Sequence, residues 1–135
     1  MNPHIHRWHR LVETRDYATL DDLLDDGVVF HSPVVHTPQR GKAITKMYLA
    51  GALQVLGNTH FRYVREIGST TDVLLEFESE VDGIHVNGVD LIRFNADGRI
   101  VDFKVMLRPW KAMEAVKLRM AAMLQMLAAG AGKAG

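Results

Sequence analysis

Two turns in the second half of the chain constrain its fold more than any other feature. Asp82-Gly83 has the composition of a two-residue type I′ hairpin loop, and Asn95-Ala96-Asp97-Gly98 that of a four-residue turn. Around them run Val73 to Val81, Ile84 to Phe94 and Arg99 to Leu107, three stretches that alternate apolar and polar residues. Such alternation is what a strand with one buried face requires. Turn length sets register, and register decides which side chains share a face. A two-residue loop places Val81 opposite Ile84, Phe77 opposite Gly88 and Leu75 opposite Asp90. A four-residue loop places Phe94 opposite Arg99, Ile92 opposite Val101 and Asp90 opposite Phe103. One face then carries Leu75, Phe77, Val86, Ile92, Phe103 and Val105. Away from Arg99 at the turn, Asp90 is its one ionisable group. A carboxyl among such neighbours is costly to ionise. In its neutral form it donates a hydrogen bond, which suits a carbonyl or enolate oxygen.

The first half reads as helical. Asn2 and Pro3 open a helix whose stripe is Ile5, Trp8 and Val12 or Leu11. Asp16 opens a second one, with Leu20, Leu23 and Leu24 on one side and Gly27 at its end. A short strand over Val28 to Ser32 stops at Pro33, and Pro33 to Gly41 is a loop. Lys42 to Leu56 forms a third helix that includes Tyr48, and His60 to Ile67 is a further strand. Pro109 starts a last helix to about Leu127, with Trp110, Met113, Val116, Met120 and Leu124 along one side. Helices, then an antiparallel meander, then one helix define an α+β chain. At 135 residues it is expected to be a single domain over 1–128 with a flexible Ala/Gly tail over 129–135.

Charge and composition narrow the partners. Lys+Arg and Asp+Glu number 16 each, which removes the electrostatic reason to expect nucleic acid or an anionic membrane. There is no cysteine, no apolar run of bilayer length, and no apolar stretch behind the basic start MNPHIHRWHR. A cytoplasmic location is expected. His4, His6 and His9 carry no carboxylate placed by sequence, so neither a metal nor another cofactor is expected. Glu76, Glu78 and Glu80 share the opposite, mixed face of the meander, read as solvated or salt-bridged. That face also offers Val89, Leu91, Ile100 and Met106 as a patch for a homodimer.

The segment Gly88 to Ile100, GVDLIRFNADGRI, resembles the penultimate hairpin of the nuclear transport factor 2-like superfamily. That group includes ketosteroid isomerases and SnoaL-like polyketide cyclases. Leu11 to Pro33 is similar to the helix–helix–strand opening of ketosteroid isomerases, and Gly41-Lys42 to the start of their third helix. The likeness runs from about Trp8 to Arg108. It implies a cone-shaped curved antiparallel sheet with the N-terminal helices on its concave face around an apolar pocket, plus a C-terminal helix. It implies dimers through the outer sheet face. Asp90 falls where the isomerases keep a protonated oxyanion-hole aspartate, Ser32 where they keep their base, and Trp8 where they keep a tyrosine. His31 and His36 lie near the pocket mouth and could supply a base. The candidate catalytic residues are therefore Asp90, His31 and Ser32. The candidate ligand-binding residues are Trp8, Tyr48, Leu75, Phe77, Ile92, Phe103 and Val105. Two functions stand side by side. One is an enzyme acting on a small apolar, carbonyl-bearing molecule with Asp90 as proton donor. The other is a non-catalytic ligand-binding or dimerisation module.

Overall fold

The computed structural model describes residues 2–134, with side chains to residue 129. Helix α1 (Ile5–Thr14) is followed by a 3₁₀ turn and the single-turn helix α2 (Leu20–Leu23). Strands β1 (Leu24–His31) and β2 (Gln39–Arg40) precede α3 (Lys42–Leu56). Then come β3 (Arg62–Gly68), β4 (Asp72–Val81), β5 (Ile84–Phe94), β6 (Ile100–Arg108) and the long helix α4 (Trp110–Ala134).

The strands form one six-stranded sheet in the order β2-β1-β6-β5-β4-β3. This corrects the expected cone-shaped antiparallel sheet in two respects. The sheet is mixed, because β1 runs parallel to β6. It is also open: β2 and β3 are free edges, and helices flank the sheet without its curling into a cone. The physical reason is that turn arithmetic governs only strands joined by turns. The strand β1 is separated from the meander by α3 and lands beside its last strand by a long connection, for which the turns carry no information. The α+β character stands.

The β4–β5 register matches expectation pair for pair, including Leu75 opposite Asp90 and Phe77 opposite Gly88. Asp82 (φ 53°) and Gly83 (φ 78°) both adopt the left-handed backbone that a type I′ turn demands. Gly88 is required by contact rather than conformation. A Cβ there would lie 2.5 Å from Phe77 Cζ and 2.6 Å from Leu107 Cδ2. The β5–β6 register differs from expectation. Phe94 faces Ile100, so the turn is one residue longer, and Val101 is an extra residue between that pair and Arg93–Asp102. Each deviation alone would swap the faces of β6. Together they restore them, so Phe103 and Val105 point inward as expected, and Val105 rather than Phe103 faces Asp90. Ile100 becomes fully buried and leaves the outer patch to Val89, Leu91 and Met106.

The inner face of the sheet is covered by α1 and α3. Ile5, Trp8 and Leu11 of α1 join Leu49 and Leu56 of α3, Leu75, Phe77, Ile92 and Phe103 in one apolar cluster. Trp8 packs on Phe103 with ring centroids 5.0 Å apart. The expected second helix ends at Leu23 rather than Gly27, because Leu24 is already paired with Ile100 in the sheet. Helix α4 buries Val116 and part-buries Met113, Met120 and Leu124 as expected, adds Ala112 and Ala115 to the packed side, and leaves Trp110 70% exposed. The small residues let the helix approach closely. The backbone of α4 stays helical to Ala134. The end of the expected tail, Gly135, lies outside the described residues. No helix among the described residues is long and apolar enough to cross a membrane.

Candidate functional site

Alternation along β5 turns Asp90 inward, between Leu75 of β4 and Val105 of β6. The residue is 7% exposed. Its carboxylate has one partner: the Tyr63 hydroxyl donates to Asp90 Oδ2 at 3.2 Å. Tyr63 in turn accepts from the indole Nε1–H of Trp8 at 2.9 Å. No described residue hydrogen-bonds Oδ1. Burial pushes the Asp90 carboxyl up to about 7, against the smaller opposing effect of the Tyr63 hydrogen bond. Burial, and then the neighbouring Asp90 charge, raise the Tyr63 hydroxyl well above its ordinary value, so it stays a neutral donor. The three groups form a chain in which each donor points the same way, from Trp8 through Tyr63 to Asp90.

Asp90, Tyr63 and Trp8 line a small chamber of about 30 Å³, walled by Phe61, Phe77 and Phe103. That is room for one or two water molecules. Next to it, between α3, β6, α4 and the loop after β1, lies an apolar cavity of about 220 Å³. Tyr48, Ala52 and Leu56 face it from one side of α3, while Met120 and Leu124 face it from α4. Ala52, Leu56 and Val105 belong to both spaces and form the wall between them.

The sequence candidates therefore separate. Asp90, Trp8, Phe77 and Phe103 meet at the chamber, and Val105 stands in the wall. Tyr48 lines the larger cavity, its ring stacked on Phe30 with centroids 5.4 Å apart. Leu75 and Ile92 are fully buried core residues and touch neither space. Ser32 lines the larger cavity, but its Oγ accepts the N–H groups of Val34 (3.2 Å) and Val35 (3.4 Å) and so closes its own turn. His31 lines neither space. Its Nε2 lies 2.9 Å from Asp102 Oδ1, and it borders a surface groove shared with the exposed His36. His9 pairs with Glu66 at 2.7 Å, and the described residues hold no cluster of three His, Asp or Glu suited to a metal. Glu76 and Glu78 are bridged by Arg65 and Arg62 across β3 and β4.

Tyr63 was missed by sequence reasoning. It pairs with Phe77 in the sheet, so it shares the inward face. The signal was its place in an aromatic pair with Phe61. The turn after Gly68 closes the β3–β4 hairpin, with the Ser69 N–H donating to Asp72 O, but an irregularity between Tyr63 and Arg65 breaks the alternation that would carry its register to Tyr63.

The model of the SnoaL-like domain family matches residues 5–103. The chain is similar to a steroid delta-isomerase from Pseudomonas aeruginosa, at 38% identity over 93% of this chain and 92% of that one, with a TM-score of 0.88. It is similar to an uncharacterised protein conserved in bacteria, with a cystatin-like fold, from Silicibacter pomeroyi DSS-3. There the identity is 34%, the coverage 90% and 85%, and the TM-score 0.83. A putative SnoaL-like polyketide cyclase from Jannaschia sp. CCS1 shares the fold at 12% identity, over 86% and 95% of the two chains, with a TM-score of 0.66. No curated protein matches the chain.

Proposed function

The chain belongs to the SnoaL-like domain family, within the nuclear transport factor 2-like superfamily, and we propose that it is an enzyme acting on a small apolar molecule that bears a carbonyl group. The observation that carries this reading is Asp90: a lone buried carboxyl whose Oδ2 is held by Tyr63 and whose Oδ1 has no described partner. With Trp8 donating to Tyr63 and Tyr63 to Oδ2, the proton of neutral Asp90 sits on Oδ1 and serves the ligand. Such a donor, fixed in an apolar setting, stabilises negative charge growing on a carbonyl oxygen. A carboxyl titrating at about 7 both gives and takes a proton near neutrality. Ser32 lies where the resembling isomerases keep their base, and it is engaged in its own turn. In such a reaction neutral Asp90 lends its Oδ1 proton to the carbonyl oxygen as negative charge grows there and takes it back as the carbonyl re-forms, so the carboxyl ends the cycle in the protonation state in which it began.

A second reading has its own observation. Ala52, Leu56 and Val105 stand between the larger cavity and Asp90, so a ligand can sit in that cavity without touching the acid. In that case the domain binds and does not catalyse. In either reading the outer patch of Val89, Leu91 and Met106 serves a second copy of the chain, and light scattering should return twice the 15.2 kDa chain mass.

Calorimetric titration with a bicyclic ketone such as 1-tetralone separates the two. If neutral Asp90 holds the carbonyl, affinity falls about 30-fold between about pH 5.5 and pH 8.5 as the acid ionises. Asp90→Asn then binds independently of pH, and Asp90→Leu loses the ketone. Equal affinity in all three proteins at both pH values leaves the binding reading alone standing.

A further inference from the structure

The lining of the larger cavity is apolar apart from Ser32, Tyr48 and one charged residue, Lys117 of α4. Val116 and Met120 on either side of it reach the same space, but Lys117 is exposed, so its chain lies at the rim. Its ammonium has no ion-pair partner among the described residues, whereas Lys42 and Lys46 are both paired. Glu114, one turn earlier on α4, makes no pair with it. The cavity is thus oily inside, with an exposed lysine that has no ion pair among the described residues contributing to its rim.

Volume sets the other limit. About 220 Å³ is roughly one and a half times the ~150 Å³ apolar cavity that holds a benzene ring. That is room for roughly nine to twelve non-hydrogen atoms. Four fused rings exceed this volume and would have to protrude past the rim or displace α4 or the wall of Leu56 and Val105.

We propose that this cavity takes a small apolar carboxylate, with a body of one or two rings or a medium acyl chain inside and its carboxylate beside Lys117 at the rim. The assignment rests on the reading of this cavity as the ligand site and adds its substrate class. A carboxylate at the rim keeps much of its hydration, where a buried one would lose it. The arrangement also orders the ligand. With the charged end at α4, the far end lies against Leu56 and Val105, the side nearest Asp90. The relative described as acting on a steroid would then differ from this chain in the size of ligand admitted.

Calorimetry at neutral pH with octanoate, 1-octanol and androstenedione, on the wild type and on Lys117→Gln, tests this. Octanoate should bind the wild type about fivefold more tightly than octanol, as a rim ion pair provides. Lys117→Gln should abolish that preference and leave octanol unchanged. Androstenedione should bind more weakly than octanoate. A preference that is missing, or that survives in Lys117→Gln, overturns the role of Lys117, and tighter binding of the steroid overturns the size limit. Failure of octanoate, octanol and 1-tetralone alike would instead overturn the cavity as a ligand site, and with it the function proposed above.

Discussion

Asp90 and Asp102 sit on neighbouring strands, and they differ chiefly in which face of the sheet they occupy. Asp102 lies on the outer face, part-exposed, 2.9 Å from His31. Asp90 lies on the inner face with a neutral hydroxyl as its one partner and the Phe103 ring beside it in the same chamber. The histidine pair is the arrangement a motif search would favour, yet water screens it. The unusual acid is the one that has no charge near it. Chemical distinctiveness here comes from burial, and burial is decided by register.

The comparison can be broken hardest at Trp8. Trp8→Ala removes a buried ring and the donor to Tyr63, and should cost about 3–5 kcal/mol in chemical denaturation. Asp102→Ala should come nowhere near that.

The next largest effect is a pH dependence with a defined sign. Asp90 titrates at 3.8 when exposed and at about 7 in the native chain. Below about pH 4 both states hold the proton, and Asp90 adds no slope. Between there and 7 only the native state holds it, so native stability falls as pH rises, by about 1.4 kcal/mol per unit and about 4 kcal/mol in all. Above 7 the loss is complete. Asp90→Asn should flatten this component. Asp72 and Asp82, held below the usual carboxylate range by hydrogen bonds from Thr71 and Arg119, contribute the opposite sign at lower pH. The difference between the two proteins is therefore the quantity to follow.

Tyr63→Phe should cost about 1–3 kcal/mol, since it leaves the Trp8 N–H without an acceptor. It should also raise the Asp90 pKa further, because the Tyr63 hydrogen bond is the influence that holds it down. Carbon-detected NMR titration of the Asp90 carboxyl would show this, and a fall would mean that the hydroxyl is not its partner in solution. The smallest effect belongs to the outer pair. Asp102→Asn should change stability by less than about 1 kcal/mol and leave the Asp90 titration where it is.

What the sequence made legible follows turn chemistry closely. The left-handed Asp82-Gly83 turn dictates every pair of β4 and β5, and so Asp90's inward position. A place near the pocket mouth in sequence does not specify the side of the strand on which His31 stands; its pairing with Asp102 shows the outer one. The parallel partner of β1 and the exposure of Trp110 at the start of α4 depend on tertiary packing, which outweighs local pattern. Lys117 was invisible for the same reason: only the docking of α4 brings it to a cavity.

The extra residue at Val101 has a consequence for how this hairpin can change over evolutionary time. A lengthened turn and a bulge each invert β6, and together they cancel. Deleting one turn residue while keeping the bulge would send Phe103 and Val105 to the wet side and open the chamber wall. Deleting both would keep every inward side chain. Insertions and deletions between Phe94 and Phe103 are thus tolerated in twos and ruinous singly. Homologues with an intact cavity are expected to differ there by an even number of residues, whatever substrate each has come to accept.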